Sequence, residues 1–260
     1  MKKTLFDYDF RFAGLKDVGR TRTSNQDEVI LCPDRGFFAV SDGMGGLKDG
    51  GKTSAMIRDV FPDLFAHVAD ETGPDASIES AAELLKNSVA VLSDSIYESG
   101  NEGHTIEFGA TFCGVWLLQK RALFVNLGDS RGYILRASDG VLTQVTRDHN
   151  LAALLVESGD LSKEEAKHHH ASSRITRFMG MPSPATPETF LEAVAPGDTL
   201  LFCSDGLHGM LEDEQIRDVL LKGMPPEPTC LQLIDAANEA GGRDNISAVC
   251  VRIRKRGLFG

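Results

Sequence analysis

Phe37–Gly43 reads FFAVSDG and Leu200–Gly206 reads LLFCSDG, four apolar residues followed by Ser-Asp-Gly, twice in one chain. A short unbroken apolar run stopped by a turn-forming triplet fits a strand buried on both faces. LFVNLGDS (Leu123–Ser130) is a looser copy ending at Asp129, and RDNISAVCV (Arg243–Val251) is the reverse, with Asp244 just before its apolar run. Each time a carboxylate stands where a buried strand meets a turn. A single Asp there is ordinarily a turn former, because its side chain bonds its own backbone. Four together change the balance: if the strands lie side by side, Asp42, Asp129, Asp205 and Asp244 share one pocket.

Further apolar runs at Ala110–Leu118, Ala122–Leu127, Gly132–Arg136, Thr199–Cys203 and Ile246–Ile253 predict more buried strands. Two longer segments carry helical spacing. The first runs from about Lys52 to Ala69, and Pro62 is expected to kink or break it. The second, about Ile78 to Glu98, places Ala82, Leu85, Val89, Leu92 and Ile96 on one stripe. Shorter helices are expected at Leu151–Ser158, Asp213–Leu221 and Thr229–Ala240. Helices grouped in pairs argue against a doubly wound parallel sheet and for two packed sheets flanked by helices. No linker or internal repeat divides the chain, and the Pro-rich Met181–Pro187 closes an insert, so residues 1–260 read as one domain.

The 260 residues carry 38 acidic and 27 basic side chains, a formal charge of −11, which argues against a nucleic-acid partner because phosphate neutralisation needs a basic face. Cys32, Cys113, Cys203, Cys230 and Cys250 are odd in number and form no CxxC pair. They read as small hydrophobes in a reducing compartment rather than as a disulfide framework or zinc site. No stretch has the length of a membrane span, and MKKTLFDYDFRF lacks the apolar core of a secretory signal. The expectation is a cytoplasmic protein with no membrane partner.

Ionised carboxylates held within a few ångströms raise each other's pKa unless a cation stands between them. Oxygen donors alone suit hard ions, Mg²⁺ or Mn²⁺, and the lack of His and Cys in these motifs argues against zinc. Gly43, Gly45 and Gly46 would let the backbone approach a ligand closely, but no Lys-Ser/Thr of a P-loop follows them. Arg22, ahead of a polar triplet, suits a two-pronged grip on phosphate, although a solvated surface arginine is the commoner reading.

Taken in order, RTSNQD (Arg22–Asp27), VSDGMGG (Val40–Gly46), GAT (Gly109–Thr111), LGDSRGY (Leu127–Tyr133), VTRDHN (Val145–Asn150), CSDGL (Cys203–Leu207) and GGRDNIS (Gly241–Ser247) resemble the motifs of the type-2C metal-dependent protein-serine/threonine phosphatases in their bacterial form. The resemblance covers nearly the whole chain. It implies an α+β fold, a central antiparallel β-sandwich with a helix pair on each side in four αββα layers, and a flap insert at about 151–187. It also implies two Mn²⁺ or Mg²⁺ ions bridged by Asp42, one completed by the carbonyl of Gly43 and the other held by Asp205 and Asp244. Asp129, with Asp205, matches the position that binds a third, weaker metal. Arg22 would hold the substrate phosphate, while Gln26 and Asp27 would orient metal-bound water. The implied reaction is hydrolysis of phosphoserine or phosphothreonine by direct attack of a hydroxide bridging the two metals, with no phosphoenzyme. The implied partner is a phosphorylated protein made by a cognate bacterial Ser/Thr kinase, and the implied state is a monomer.

A second reading is a catalytically silent relative that binds phosphoproteins or a kinase; such proteins lose metal aspartates, and all are present here. The chain departs from the family at Met44, where animal members carry a histidine, and at Leu47, where many bacterial members do, so the general acid stays open. Within the flap, His168–His170 read as a solvated loop, because adjacent side chains diverge. His149 reads as a structural hydrogen-bonder, Trp116 as core, and His208 has no role assigned. The acidic surface implies a preference for basic residues around the phosphosite.

Overall fold

The computed structural model describes residues 6–44, 50–73, 76–100, 109–167, 169–182 and 184–256. Its strands are β1 (Asp9–Asp17), β2 (Asp27–Cys32), β3 (Phe37–Asp42), β4 (Phe112–Leu118), β5 (Arg121–Leu127), β6 (Arg131–Leu135), β7 (Leu142–Gln144), β8 (Glu188–Ala193), β9 (Thr199–Cys203) and β10 (Ile246–Arg254). Its helices are α1 (Gly50–Glu71), α2 (Ile78–Gly100), α3 (Leu151–Ser158), α4 (Lys163–Lys167), α5 (Asp205–His208), α6 (Asp213–Leu221) and α7 (Pro226–Glu239). The strands form two sheets of five, β1-β10-β9-β6-β7 and β2-β3-β4-β5-β8. Every neighbouring pair is antiparallel.

The unbroken apolar runs are explained by layering. Side chains alternate across a strand, so Phe37 and Ala39 of β3 join a cluster with Ile57, Phe61 and Phe65 of α1 and Leu85 and Val89 of α2. Phe38 and Val40 point the other way, into the seam between sheets, where they meet Phe124, Phe202, Val249 and Val251. On the far side, Ile246, Ala248 and Cys250 of β10 pack with Ile216 of α6 and Leu233 of α7. Both faces of β3, β9 and β10 are therefore dry, and the four layers are helix pair, sheet, sheet, helix pair. Four of the five cysteines are buried in these layers.

Aromatic rings fill the first layer. Phe37 lies 4.9 Å from Phe61 and 4.5 Å from Phe65 between ring centroids, and Phe65 meets Trp116 edge-on at 5.0 Å. Phe65→Ala is expected to cost about 3–5 kcal/mol of folding free energy, read in a denaturant titration. The metal-dependent rate per folded molecule should be unchanged, because Phe65 lies in the helix–sheet layer and not among the strand-end carboxylates.

Pro62 does not break α1: the helix runs from Gly50 to Glu71. A proline deletes one helical bond and crowds the preceding turn, but Ile57, Phe61 and Phe65 bury one stripe across it, and packing of that face stabilises a helix more than any single bond. The stripe on α2 holds, with Ala81 buried and Ala82 only half-buried. Among the described residues no helix is long and apolar enough to cross a membrane.

Candidate active site

Strand ends meet at one edge of the sandwich. Asp42 closes β3 and stands directly across from Asp27, the first residue of β2. Asp205 opens α5 immediately after β9, and Asp244 lies just before β10, the neighbour of β9. Asp129 occupies the turn between β5 and β6. Of the sequence-predicted residues, Asp42 lies against both Asp27 and Asp205, side chain to side chain. Arg22 reaches Asp244, its Nη2 donating to Oδ2 at 2.8 Å. Asp129 acts on Asp42 and Asp205 through its charge.

Backbone geometry fixes these positions. Asp42 N–H donates to Thr111 Oγ1 at 3.0 Å, while Thr111 N–H donates to the Asp42 carbonyl at 2.8 Å. Thr111 Oγ1 in turn lies 2.6 Å from Ser130 Oγ, which ties the Asp42 turn to the Asp129 turn. Gly43 is pressed between segments: a Cβ there would lie 2.3 Å from the Gly50 carbonyl oxygen. At Gly206 a Cβ would lie 1.9 Å from the Asn245 carbonyl oxygen, so only glycine lets α5 start against the Asp244 turn. The loop segment with Gly45, Gly46 and Leu47 lies outside the described residues.

Asn245, to which the sequence reading gave no role, holds the Arg22 loop. Its Oδ1 accepts from Gln26 N–H at 2.8 Å, and its Nδ2 donates to the carbonyls of Val18 and Ser24, both at 2.9 Å. Gln26 takes part mainly through its backbone, its carbonyl accepting from Gly43 N–H at 3.0 Å and from Ser54 Oγ at 2.5 Å. Ser204 is a second unassigned anchor: its hydroxyl donates to Asp27 Oδ2 at 2.6 Å and accepts from Ser247 N–H at 3.0 Å. Such residues carry no charge and are common in turns, and only their partners mark them.

Burial and mutual repulsion push the carboxylates up. Asp42 is raised well above the usual carboxylate range by burial, then by the charges of Asp27, Asp205, Asp129 and Asp244. Burial followed by Asp205 and Asp148 raises Asp129, and burial followed by Asp244 raises Asp205. Asp27, wholly buried, is pushed up to about 7, chiefly by burial, against the hydrogen bond from Ser204. Asp27 Oδ1 and Asp205 Oδ1 are buried with no hydrogen-bond partner, a costly state for an ionised oxygen.

Among the described residues, no group of three His, Cys, Asp or Glu side chains is gathered tightly enough to hold a metal ion as it stands. In kind, though, the donors fit a hard divalent cation. They are all oxygens, they repel one another, and two of their atoms have no partner.

Histidines frame the cluster rather than join it. His149 is buried, its Nδ1 accepting from Gly128 N–H at 3.1 Å, and it is driven down to about 4 by burial and by the charge of Arg177. His208 sets Nε2 3.0 Å from the Asp129 carbonyl and is driven down to about 3 by burial and by Arg131. Both rings are neutral at pH 7, and both touch the turn that carries Asp129. His168 lies outside the described residues. His169 accepts from Ala171 N–H at 3.2 Å, with its ring centroid 4.2 Å from that of His170.

The chain matches the family model described as protein phosphatase 2C over residues 19–243. It is 30% identical over 238 residues to the serine/threonine phosphatase stp of Listeria monocytogenes, covering 90% of this chain and 92% of that one. The serine/threonine phosphatase of S. agalactiae superposes with a TM-score of 0.81 at 28% identity, over 95% of this chain and all of the other. The catalytic domain of the serine/threonine protein phosphatase PstP, in complex with two manganese ions, superposes with a TM-score of 0.75 at 28% identity, over 95% and 99%.

Proposed function

This chain belongs to the protein phosphatase 2C family and is a protein-serine/threonine phosphatase, and from that premise we propose that residues 1–260 are a single catalytic domain built around paired divalent cations. The observation that carries the proposal is the set of strand-end aspartates, which raise one another's pKa and leave two buried oxygens without partners. Asp42, the carbonyl of Gly43, Asp205 and Asp244 hold two Mn²⁺ or Mg²⁺ ions, and Asp129 with Asp205 offers a place for a third. Bound there, the cations supply positive charge at the transferring phosphoryl group and an acidified water for attack on it.

The chain's own groups do the rest. Arg22 keeps its charge, held up by its bond to Asp244, and its other donors, which have no hydrogen-bond partner among the described residues, suit two oxygens of the phosphate. That grip fixes the ester for in-line displacement and meets charge on the equatorial oxygens. Asp27 accepts from Ser204 and holds Asp42 from across the strand pair, an outer support of the kind that orients metal ligands. Gln26 keeps the Arg22 loop against Gly43 and α1. The substrate is a phosphorylated protein. We extend the proposal to the product of a bacterial Ser/Thr kinase, met in the cytoplasm by a monomer.

An aryl phosphate tests the chemistry without a protein substrate. Release of the phenolate should be rapid with Mn²⁺, fall by at least about two orders of magnitude in excess chelator, and return when Mn²⁺ is restored. No turnover at saturating Mn²⁺, from folded protein, would favour the alternative of a silent phosphoprotein- or kinase-binding relative.

A further inference from the structure

A cleft of about 470 Å³ adjoins the aspartate cluster, reaching Asp129, Asp205 and Asp244 on one side and the flap residues Ser172 and Ser173 on the other. That is more room than a phosphoserine side chain needs, so neighbouring substrate residues enter it too. Its lining is formally acidic, with Asp148, Glu212 and Asp213 added to the three aspartates against Arg131 and Arg243. Part of that charge is offset: Arg131 pairs with Asp148 and Arg22 with Asp244, and Asp129, Asp205 and Asp244 are the residues proposed to hold cations. Arg131 Nε and Nη2 clasp Asp148 at 2.7–3.1 Å, and Gln144 Nε2 donates to the same carboxylate at 2.9 Å. Asp213 accepts from the Tyr133 hydroxyl at 3.2 Å. Glu212 is the N-cap of α6, its N–H donating to Gln215 Oε1 at 2.9 Å and its carbonyl accepting from Gln215 N–H at 3.0 Å. Asp244 accepts from Arg22 and from Asn245 N–H.

Arg243 is the other arginine of the lining. It is exposed, lines the cleft, and has no carboxylate partner among the described residues. It lines the same cleft as Asp129, Asp205 and Asp244, beside the proposed phosphate site, where a residue neighbouring the phosphoserine can reach it. We propose that Arg243 is a specificity-determining residue that binds an anionic group, a carboxylate or a second phosphate, on a residue neighbouring the phosphoserine or phosphothreonine. The proposal rests on the phosphatase reading above and narrows its substrate class. It runs against the basic-flank preference suggested by the net charge of −11, because distant surface charges are screened beyond about 8 Å whereas Arg243 makes contact.

The test is a set of phosphopeptides of one sequence, with Gln, Glu, Lys or a non-hydrolysable phosphonate at each of the two positions on either side of the phosphoserine. Wild type, Arg243→Gln and Arg243→Glu are compared with Mn²⁺ at two salt concentrations, with an aryl phosphate as reference. At one flanking position wild type should favour Glu over Lys by about three- to fivefold in kcat/KM, through KM, and the preference should shrink at high salt. Arg243→Gln should erase it and Arg243→Glu reverse it, all three proteins hydrolysing the aryl phosphate within about twofold. Comparing the Glu and phosphonate arms identifies whether a carboxylate or a second phosphate is the better ligand. Equal use of Glu and Lys by wild type, a preference that survives Arg243→Gln, or loss of aryl phosphate turnover in that variant alone would overturn the assignment of Arg243. Loss of aryl phosphate turnover in wild type would instead overturn the phosphatase reading.

Discussion

Asp42→Asn should lower metal-dependent hydrolysis by about three orders of magnitude or more, yet raise the melting temperature of the chelator-treated protein. The two effects share one cause. Asp42 is raised by burial and by the charges of Asp27, Asp205, Asp129 and Asp244, so without a counter-ion its negative charge opposes folding. The amide keeps the shape and removes the charge. Relief on the order of 1 kcal/mol corresponds to about 2–4 °C for a chain of this size. With Mn²⁺ the order reverses: wild type should gain strongly in melting temperature, and the variant much less, because it has lost the proposed bridging ligand. Thermal melts in chelator and in Mn²⁺, beside the aryl phosphate assay, read all three. A variant that melts lower in chelator, with activity lost, would mean that Asp42 supports the fold rather than the cations.

Charge was readable from the sequence because the layering forces it into view. One carboxylate at the end of a buried strand is an ordinary turn former, but FFAVSDG and LLFCSDG repeat that break, and LFVNLGDS and RDNISAVCV add two more. β9 spans the predicted residues Thr199–Cys203, and α3 and α6 fall on the predicted limits. β1 and β8 gave no such signal. Both lie at sheet edges with half-exposed faces, so their apolar residues are diluted by polar ones and form no unbroken run. β2, also at an edge, starts at the buried Asp27, which interrupts the pattern where the strand begins. At Pro62 the expected break does not occur, because tertiary packing outweighs the local rule about backbone bonds.

At the site, what could be read was chemical type, and what could not was partnership. Arg22 and Asp244 are 222 positions apart, and no spacing rule links them. Asn245 sits inside a motif that was read for its aspartate, yet it makes three bonds that hold the Arg22 loop in place. His208 followed a metal-type motif with no evident role; its ring on the Asp129 carbonyl gives it one. Neutral side chains in turns become informative only when their hydrogen bonds are seen, since every turn uses the same few residue types.

The same carboxylates should make stability fall with pH in the absence of metal. Asp27 is raised to about 7 in the folded chain, chiefly by burial, against about 3.9 unfolded. The native state therefore holds more protons, and stability present below pH 4 is lost as pH rises through the folded value. Asp42, Asp129 and Asp205 shift in the same direction. His149 and His208 act oppositely, since burial lowers them to about 4 and about 3; the unfolded chain then binds the extra protons below about pH 6.5, and stability rises with pH across that range. The two sets compete between about pH 4 and 6.5. Above about pH 7.5 the imidazoles are largely neutral in both states, and the carboxylates dominate. Urea unfolding in chelator should accordingly show a loss on the order of 1 kcal/mol or more from pH 6.5 to 8.5, and Asp27→Asn should flatten it. In Mn²⁺ the slope should change sign, because cation binding requires deprotonated carboxylates and strengthens as protons leave. A chelated protein whose stability held level or rose across that interval would show that these aspartates are already ionised without metal, and that their crowding does not select for a cation.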